Sequence, residues 1–399
     1  MARFLFVVPP FTGHINPTVA VGAELTRRGH EVAWTGVEGV TETLLGPGAT
    51  FISAVAPEVA KYVASVGERR DEARGASAFK FLMEQVLLPL ADHMVEGVDA
   101  AVERFSPDVL VADQQALAGA VVGRRRDMIW VTSATTSAEL VDPLAAFPKV
   151  AEAMHQMRVE LQLRHGIAPQ IAAQGDLRLS KHLVVAYTVE ELTGVLEGEA
   201  AKVPVVYVGP AVGDRPQSEP FAFERLSEHG PNVLVSLGTL NAEVGERFWG
   251  AASEAFARHP QWTGIFVAPD EMVANPPANV IVAQRIPQYE VLKHVHGVVS
   301  HAGHNTVCES LSQGLALVLA PIRDDQPVVA DQVVRAGAGV RVKFARIRSE
   351  HLEEAIEQVL TNEELKANAQ RIGTALNKAG GAVAAADALL GAIRRGERL

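Results

Sequence analysis

Short apolar runs rich in β-branched residues recur along the chain, separated by longer stretches in which apolar groups return at helical spacing. "RFLFVV" (3–8), "HEVAWTG" (30–36), "PDVLVADQ" (107–114), "MIWVTSA" (128–134), "KHLVVAYT" (181–188) and "VPVVYVGP" (203–210) read as buried strands of a first half. "NVLVSLGT" (232–239), "WTGIFVAP" (262–269), "NVIVAQRIP" (279–287), "HGVVSHAG" (296–303) and "ALVLAPIR" (316–323) repeat the pattern in a second half. Alternation of this kind predicts parallel sheets covered by helices. Asn16 with Pro17 behind it reads as the start of the first helix, and Gly29 as its stop. Residues 57–103 and 138–170 are longer helical excursions. The stretch "GPAVGDRPQSEP" (209–220) is the most linker-like in the chain. The expected organisation is an N-terminal domain over 1–208, a linker over 209–225 and a second domain over 226–380. A terminal helix over 381–399 would pack back on the first domain. The predicted fold class is α/β, two Rossmann-like parallel-sheet domains facing a cleft.

With 399 residues the chain is too long for one ordinary core, which agrees with two domains. The net charge of −11 argues against a nucleic-acid partner but leaves room for a small anion in a local pocket. The single cysteine, Cys308, rules out an intrachain disulfide and fits a reducing, cytoplasmic setting. "MARFLFVV" is basic then apolar, but "PPFTGHINP" interrupts it, so it reads as a first strand rather than a leader. No run is long enough to span a bilayer.

Polar chemistry gathers at two strand-to-helix turns. In "SHAGHNTVCESLSQG" (300–314), His301 and the backbone from Gly303 through Asn305 to Thr306 sit where a strand ends and a helix begins. Free N–H groups and the positive end of a helix dipole there suit a phosphate. Glu309 has two readings. It can accept both hydroxyls of a ribose diol, or "TVCE" can be a capping box. His301 and His304 could also be plain turn residues or a metal pair, although no third ligand of matching spacing stands nearby. In "PFTGHINP" (10–17), His14 follows the first strand, on a loop where a neutral imidazole can take a hydroxyl proton. A structural turn histidine is the plainer alternative. Asp113 ends the strand "VLVAD" and could orient that imidazole, or merely cap the next helix.

The run "RIPQYEVLKHVHGVVSHAGHNTVCESLSQGLALVLAPIRDDQ" (285–326) resembles the donor-binding signature of family 1 glycosyltransferases. That group includes plant secondary-product, macrolide and carotenoid glycosyltransferases. "IPQ", "HAGHNT", Glu309 and "DQ" fall in the family's order, and "PIRDDQPVVA" is most similar to its carotenoid and antibiotic members. G-H-x-x-P in the first loop matches the family too, so the likeness covers nearly the whole chain.

The resemblance implies the two-domain fold called GT-B and assigns roles to residues. His14 is the general base and Asp113 its partner. His301, Gly303, Asn305, Thr306 and Thr239 of "SLGT" meet the diphosphate. Glu309 takes the ribose, and Asp325 and Gln326 take the sugar hydroxyls. Arg285, Ile286 and Gln288 of the "RIPQ" stretch complete the donor-binding set. The family has Trp where this chain has Arg285, whose guanidinium plane can stack on either uracil or thymine. His304 stands where plant members have Trp.

The implied reaction is inverting, metal-independent transfer of a sugar from a UDP- or TDP-linked donor to a lipophilic small-molecule hydroxyl. No cofactor is expected, the nucleotide sugar being a co-substrate, and no D-x-D pair is present for a metal. Phe79, Met83, Leu87 and Met154 are acceptor-contact candidates, or ordinary core positions of amphipathic helices. The competing readings are a nucleotide-sugar epimerase of the same fold and a non-catalytic nucleotide-sugar-binding protein. A nicotinamide oxidoreductase is disfavoured, since no G-x-G-x-x-G follows the first strand.

Overall fold

The structure, a computed structural model, describes residues 1–59, 61, 76–213, 220–238 and 245–396. It divides into two compact units. The first is made of Met1–Thr188, Val195–Pro216 and Ala379–Leu399, the second of Val189–Gly194 and Gln217–Lys378.

The first unit holds a seven-stranded, all-parallel sheet built from β1 (Arg3–Val7), β2 (Glu31–Val37), β3 (Thr50–Val55), β4 (Val109–Asp113), β5 (Trp130–Ala134), β6 (Val184–Ala186) and β7 (Val205–Tyr207). The order is β3-β2-β1-β4-β5-β6-β7. Because side chains alternate along a strand, each strand feeds two cores. Leu5, Val7, Leu110 and Ala112 join one cluster, while Phe4, Phe6, Val109 and Val111 join another. The first cluster is covered by the helical run through α2 (Leu88–Phe105), with Val86, Leu90 and Met94 buried in it. The second is covered by α1 (Thr12–Arg27) and by the terminal helix Gly381–Gly396, through Ala385, Ala386 and Leu389. An ion pair from Arg28 to Asp387 ties these two helices at the surface. Phe4 and Phe6 are fully buried, so cutting either to Ala would cost about 3–5 kcal/mol.

The first helix begins earlier than its sequence suggests. Asn16 and Pro17 are not its cap and first residue; α1 starts at Thr12 after an extended Phe11. His14 and Ile15 already direct their backbone N–H groups at the Phe11 carbonyl. Pro17 is the sixth residue of the helix, where its fixed φ is helical but its ring and missing N–H disturb the turn at the Gly13 carbonyl, a local cost that the helix bears near its start. His14 therefore lies in the first turn of a helix rather than on a loop. The stop at Gly29 holds, with φ +82 and its N–H on the Thr26 carbonyl. Two edge or near-edge strands, β3 and Gly339–Arg341, carry patterns too mixed to stand out as apolar runs.

The second unit repeats the architecture with six parallel strands. They are β8 (Asn232–Ser236), β9 (Thr263–Val267), β10 (Val280–Ala283), β11 (Gly297–Ser300), β12 (Leu317–Leu319) and β13 (Gly339–Arg341), in the order β10-β9-β8-β11-β12-β13. In both sheets the chain runs outward to one edge and then returns to the middle. The strand order reverses between β1 and β4 in one unit and between β8 and β11 in the other. Loops leaving the carboxyl ends of such a strand pair diverge and open a crevice, which is where open α/β sheets take ligands.

Candidate active site

In the first unit three side chains converge at the crevice beside β1, β4 and β5. Strand pairing sets Asp113 level with Ser133, so Thr135, just past β5, reaches the same place. His14 Nδ1 lies 2.9 and 3.0 Å from the two carboxylate oxygens of Asp113. The Thr135 hydroxyl donates to Asp113 Oδ2 at 2.6 Å and lies 2.7 Å from His14 Nδ1. The Gln115 backbone N–H donates to Asp113 Oδ1 at 2.8 Å. Asp113 is 2% exposed, and among the described residues its one ion-pair partner is His14. These donors stabilise its charge. A carboxylate in this position makes Nδ1 the protonated nitrogen of a neutral imidazole and leaves the basic lone pair on Nε2. Below the group, Tyr187 is buried with its hydroxyl 3.4 Å from Ser133 Oγ, and burial pushes its pKa up to about 12, keeping it protonated. Thr135 was not singled out by the sequence. The signal was the polar "TTS" that follows the end of β5, the strand next to β4.

In the second unit β8 and β11 run in register, Ser236 opposite Ser300, so the turns that follow them adjoin. The His301 ring sits between two glycines. A Cβ on Gly238 would stand 2.5 Å from ring atom Cε1, and one on Gly303 would stand 2.4 Å from Nε2. Neither position tolerates a side chain while the ring stays put. His301 is 9% exposed, and its Nδ1 is buried with no protein partner among the described residues. Burial is the main cause of a pKa lowered to about 4, with Arg323 adding to it and the Ser236 backbone opposing. The ring is therefore neutral at pH 7 and offers a hydrogen bond rather than a charge. Ala302 takes φ +68, a left-handed conformation uncommon without a glycine, and fully buried. Gly303 then caps the helix α3 (His304–Ser312). The turn thus spends backbone strain to present successive N–H groups at a helix start.

The helix start also decides the reading of Glu309. With Gly303 at the N-cap, Thr306 is the third helical residue and Glu309 the sixth. "TVCE" is not a capping box. Instead Gln288 Nε2 donates to Glu309 Oε2 at 2.7 Å, and Gln288 Oε1 lies 3.5 Å from Thr306 Oγ1. The structure therefore brings Gln288, 18 and 21 residues earlier in the chain, to Thr306 and Glu309, which share one helix, and the three form one polar strip. Asn305 is half-buried beside them. His304 points inward, with Nε2 3.6 Å from Cys308 Sγ. Gln326 opens the next helix, and its Oε1 accepts from the backbone N–H groups of Ile322 and Arg323 at 2.9 and 3.1 Å. Asp325 stands at that helix's N-cap, and Arg285 is exposed with Ile286 half-buried beside it. Thr239 lies outside the described residues. Among the described residues no cluster of three or more His, Cys, Asp or Glu side chains could hold a metal ion.

Of the apolar candidates in the first unit, Met83, Leu87 and Met154 are core members exposed by 3% or less, and Phe79 packs against that core. Their packing accounts for their hydrophobic character. No described helix is long and apolar enough to cross a membrane.

Residues 204–378 match the sequence model of the UDP-glucoronosyl and UDP-glucosyl transferase family. This stretch, which lies largely in the second unit, is thus similar to a glycosyltransferase family. The chain is 27% identical to a UDP-glucosyltransferase of Bacillus subtilis, YojK, over 99% of its own length and 98% of the relative's. It is 26% identical to the demethyllactenocin mycarosyltransferase of Streptomyces fradiae, covering 98% and 86% of the two chains. In fold it is similar to a spinosyn rhamnosyltransferase solved with thymidine diphosphate, with a TM-score of 0.75 at 20% identity over 96% of this chain and 98% of that one. That likeness gives the chain the two-domain fold called GT-B.

The glycine cradle gives a direct check on the second-unit site. Gly238→Ala should weaken UDP and TDP binding at least tenfold, since the variant needs both a strained positive φ and a displaced His301 ring. Calorimetry measures it. Affinity within twofold of the parent would remove His301 from the nucleotide site.

Proposed function

We propose that the protein moves a sugar from a UDP- or TDP-linked donor to a hydroxyl of a lipophilic small-molecule natural product, with inversion and without a metal. The observation that carries this reading is the His14–Asp113–Thr135 arrangement, a base with its tautomer set by a buried carboxylate. The acceptor O–H proton passes to His14 Nε2 as the oxygen attacks the anomeric carbon. The bond from that carbon to the diphosphate oxygen breaks, and its electron pair leaves with the diphosphate. Asp113 stabilises the imidazolium as it forms. In this reading His301 and the N–H groups from Gly303 to Thr306 stabilise the charge that grows on the leaving group. Glu309, with Gln288 as its hydrogen-bond partner, receives the ribose diol. Asp325 and Gln326 meet the transferred sugar. The names of the relatives, a mycarosyltransferase and a spinosyn rhamnosyltransferase with its thymidine diphosphate, support a natural-product acceptor and a thymidine or uridine donor.

The test is incubation with UDP- and TDP-glucose and a panel of phenols and macrolides. A mass gain of one hexose with release of nucleoside diphosphate is expected. An α-linked donor should yield a β-glycoside by proton NMR, because a base on one side and a leaving group on the other require one in-line displacement. Chelator should leave the rate within about twofold, since the helix start handles the charge. A retained anomer overturns the single displacement, and a strict need for Mg²⁺ overturns the account of the leaving group. An epimerised donor with no glycoside overturns transfer itself.

A further inference from the structure

Thr135 stands just past β5 and is 3% exposed. Its backbone N–H meets the Ser133 carbonyl at 3.2 Å, and the Gln114 N–H meets the same carbonyl at 3.2 Å, which ties the ends of β4 and β5 together. The two threonines of "TTS" differ in what they bind. The Thr136 side chain accepts from the Ala138 backbone N–H and caps the short helix Ser137–Leu140. The Thr135 hydroxyl goes instead to Asp113 and His14.

A hydroxyl has one proton to give. An ionised carboxylate accepts only, so the Thr135 proton lies on Asp113 Oδ2, 2.6 Å away. What the hydroxyl then offers His14 Nδ1, at 2.7 Å, is a lone pair, and Nδ1 must carry the proton. Thr135 thus enforces the same tautomer as Asp113 by a separate contact. It also adds a constraint that the carboxylate lacks. Nδ1 is nearly equidistant from Oδ1 and Oδ2, at 2.9 and 3.0 Å, so the ring can rock between the two oxygens at little cost. The hydroxyl oxygen closes a triangle with Nδ1 and Oδ2 and holds the ring to one side. A β-branched side chain is stiff about its first torsion, so that oxygen does not follow a moving ring.

We propose that Thr135 is a positioning residue, whose hydroxyl fixes the angle of the His14 ring and so the direction in which Nε2 meets the acceptor hydroxyl. What the ring does rests on the glycosyl-transfer reading, but how it is held does not.

The variants are Thr135→Val, which keeps the shape and deletes the hydroxyl, Thr135→Ala, which deletes it without adding a methyl, and Thr135→Ser, which keeps it. The acceptor probes are para-nitrobenzyl alcohol and para-nitrophenol. The alcohol needs a base to take its proton, whereas the phenol is acidic enough to react as its anion in mildly alkaline buffer. With the alcohol, kcat should fall about tenfold in the Val and Ala variants, the worth of one charged hydrogen bond, with KM little changed. With the phenol the loss should stay under about twofold, because the base is not needed. Thr135→Ser should stay within about threefold of the parent on both, its hydroxyl being present but less stiffly held. Equal losses on the two acceptors, or a Ser variant as slow as the Val variant, overturn the proposal, since either makes the side chain structural. Nitrogen-15 labelled histidine gives a reading that needs no turnover. The His14 Nδ1–H proton should be resolved in the parent and in Thr135→Ser, and lost to rapid exchange with water in Thr135→Val and Thr135→Ala. A proton that persists without the hydroxyl overturns the positioning role whatever the rates do. If the proton behaves as expected but neither acceptor is glycosylated, the transfer reading fails and the positioning of the ring stands.

Discussion

Replacing His14 by Ala should lower sugar transfer by a factor of roughly 10²–10⁴ while leaving nucleotide binding intact. The variant deletes the imidazole held by Asp113 and Thr135. The hydroxyl of an alcohol or phenol must then lose its proton to water, which lacks both the basicity and the position. The fold should survive, because His14 lies in the first turn of α1 and its ring makes no part of the apolar clusters. Nucleotide affinity should not change, because His301, Gln288 and Glu309 belong to the other unit. Two measurements suffice: turnover of a single acceptor, and calorimetry of UDP or TDP. Turnover within tenfold of the parent would remove His14 from the chemistry. A parallel loss of nucleotide affinity would mean that the substitution acts on the structure instead.

The parallel sheets were legible because their strands are buried on both faces and so read as unbroken apolar runs. The exceptions follow the same rule. β3 has exposed and half-buried positions, and the three residues of β13 are too short and mixed to be seen. The position of His14 was legible as a candidate, but its helical setting was not, since Pro17 pointed to a later start. What a linear pattern cannot contain is contact across it. Thr135 touches His14 from 121 residues away, and Gln288 meets Glu309 only because the helix Gln288–Leu292 packs near α3. The capping-box alternative for Glu309 shows the converse. Its four-residue pattern is locally sound and is displaced by Gly303, which starts the helix three residues earlier. Backbone conformation was invisible as well. Only the structure shows that Ala302 is left-handed and that Gly238 and Gly303 are glycines because a ring lies against them.

Asp113→Asn should cost turnover nearly as much as losing the base, by roughly 10²–10⁴, although the two side chains have the same shape. Three donors converge on the carboxylate: the Gln115 N–H on Oδ1, the Thr135 hydroxyl on Oδ2, and His14 Nδ1–H between them. An amide has one acceptor oxygen to offer. If that oxygen keeps the Gln115 N–H, the new NH₂ group faces Thr135 and His14. The hydroxyl can turn to accept, but Nδ1 must then also accept. That drives the proton to Nε2 and removes the lone pair that takes the acceptor's proton. If the amide flips, its NH₂ opposes the Gln115 backbone N–H and leaves a buried donor unpaired. Either arrangement loses the negative charge that stabilises the imidazolium. Nitrogen-15 chemical shifts of the His14 ring distinguish the tautomers, with Nδ1–H expected in the parent and Nε2–H in the variant. Turnover is expected to fall with the acceptor KM little changed. A variant at parental rate, with the proton still on Nδ1, would reduce Asp113 to a structural end for β4.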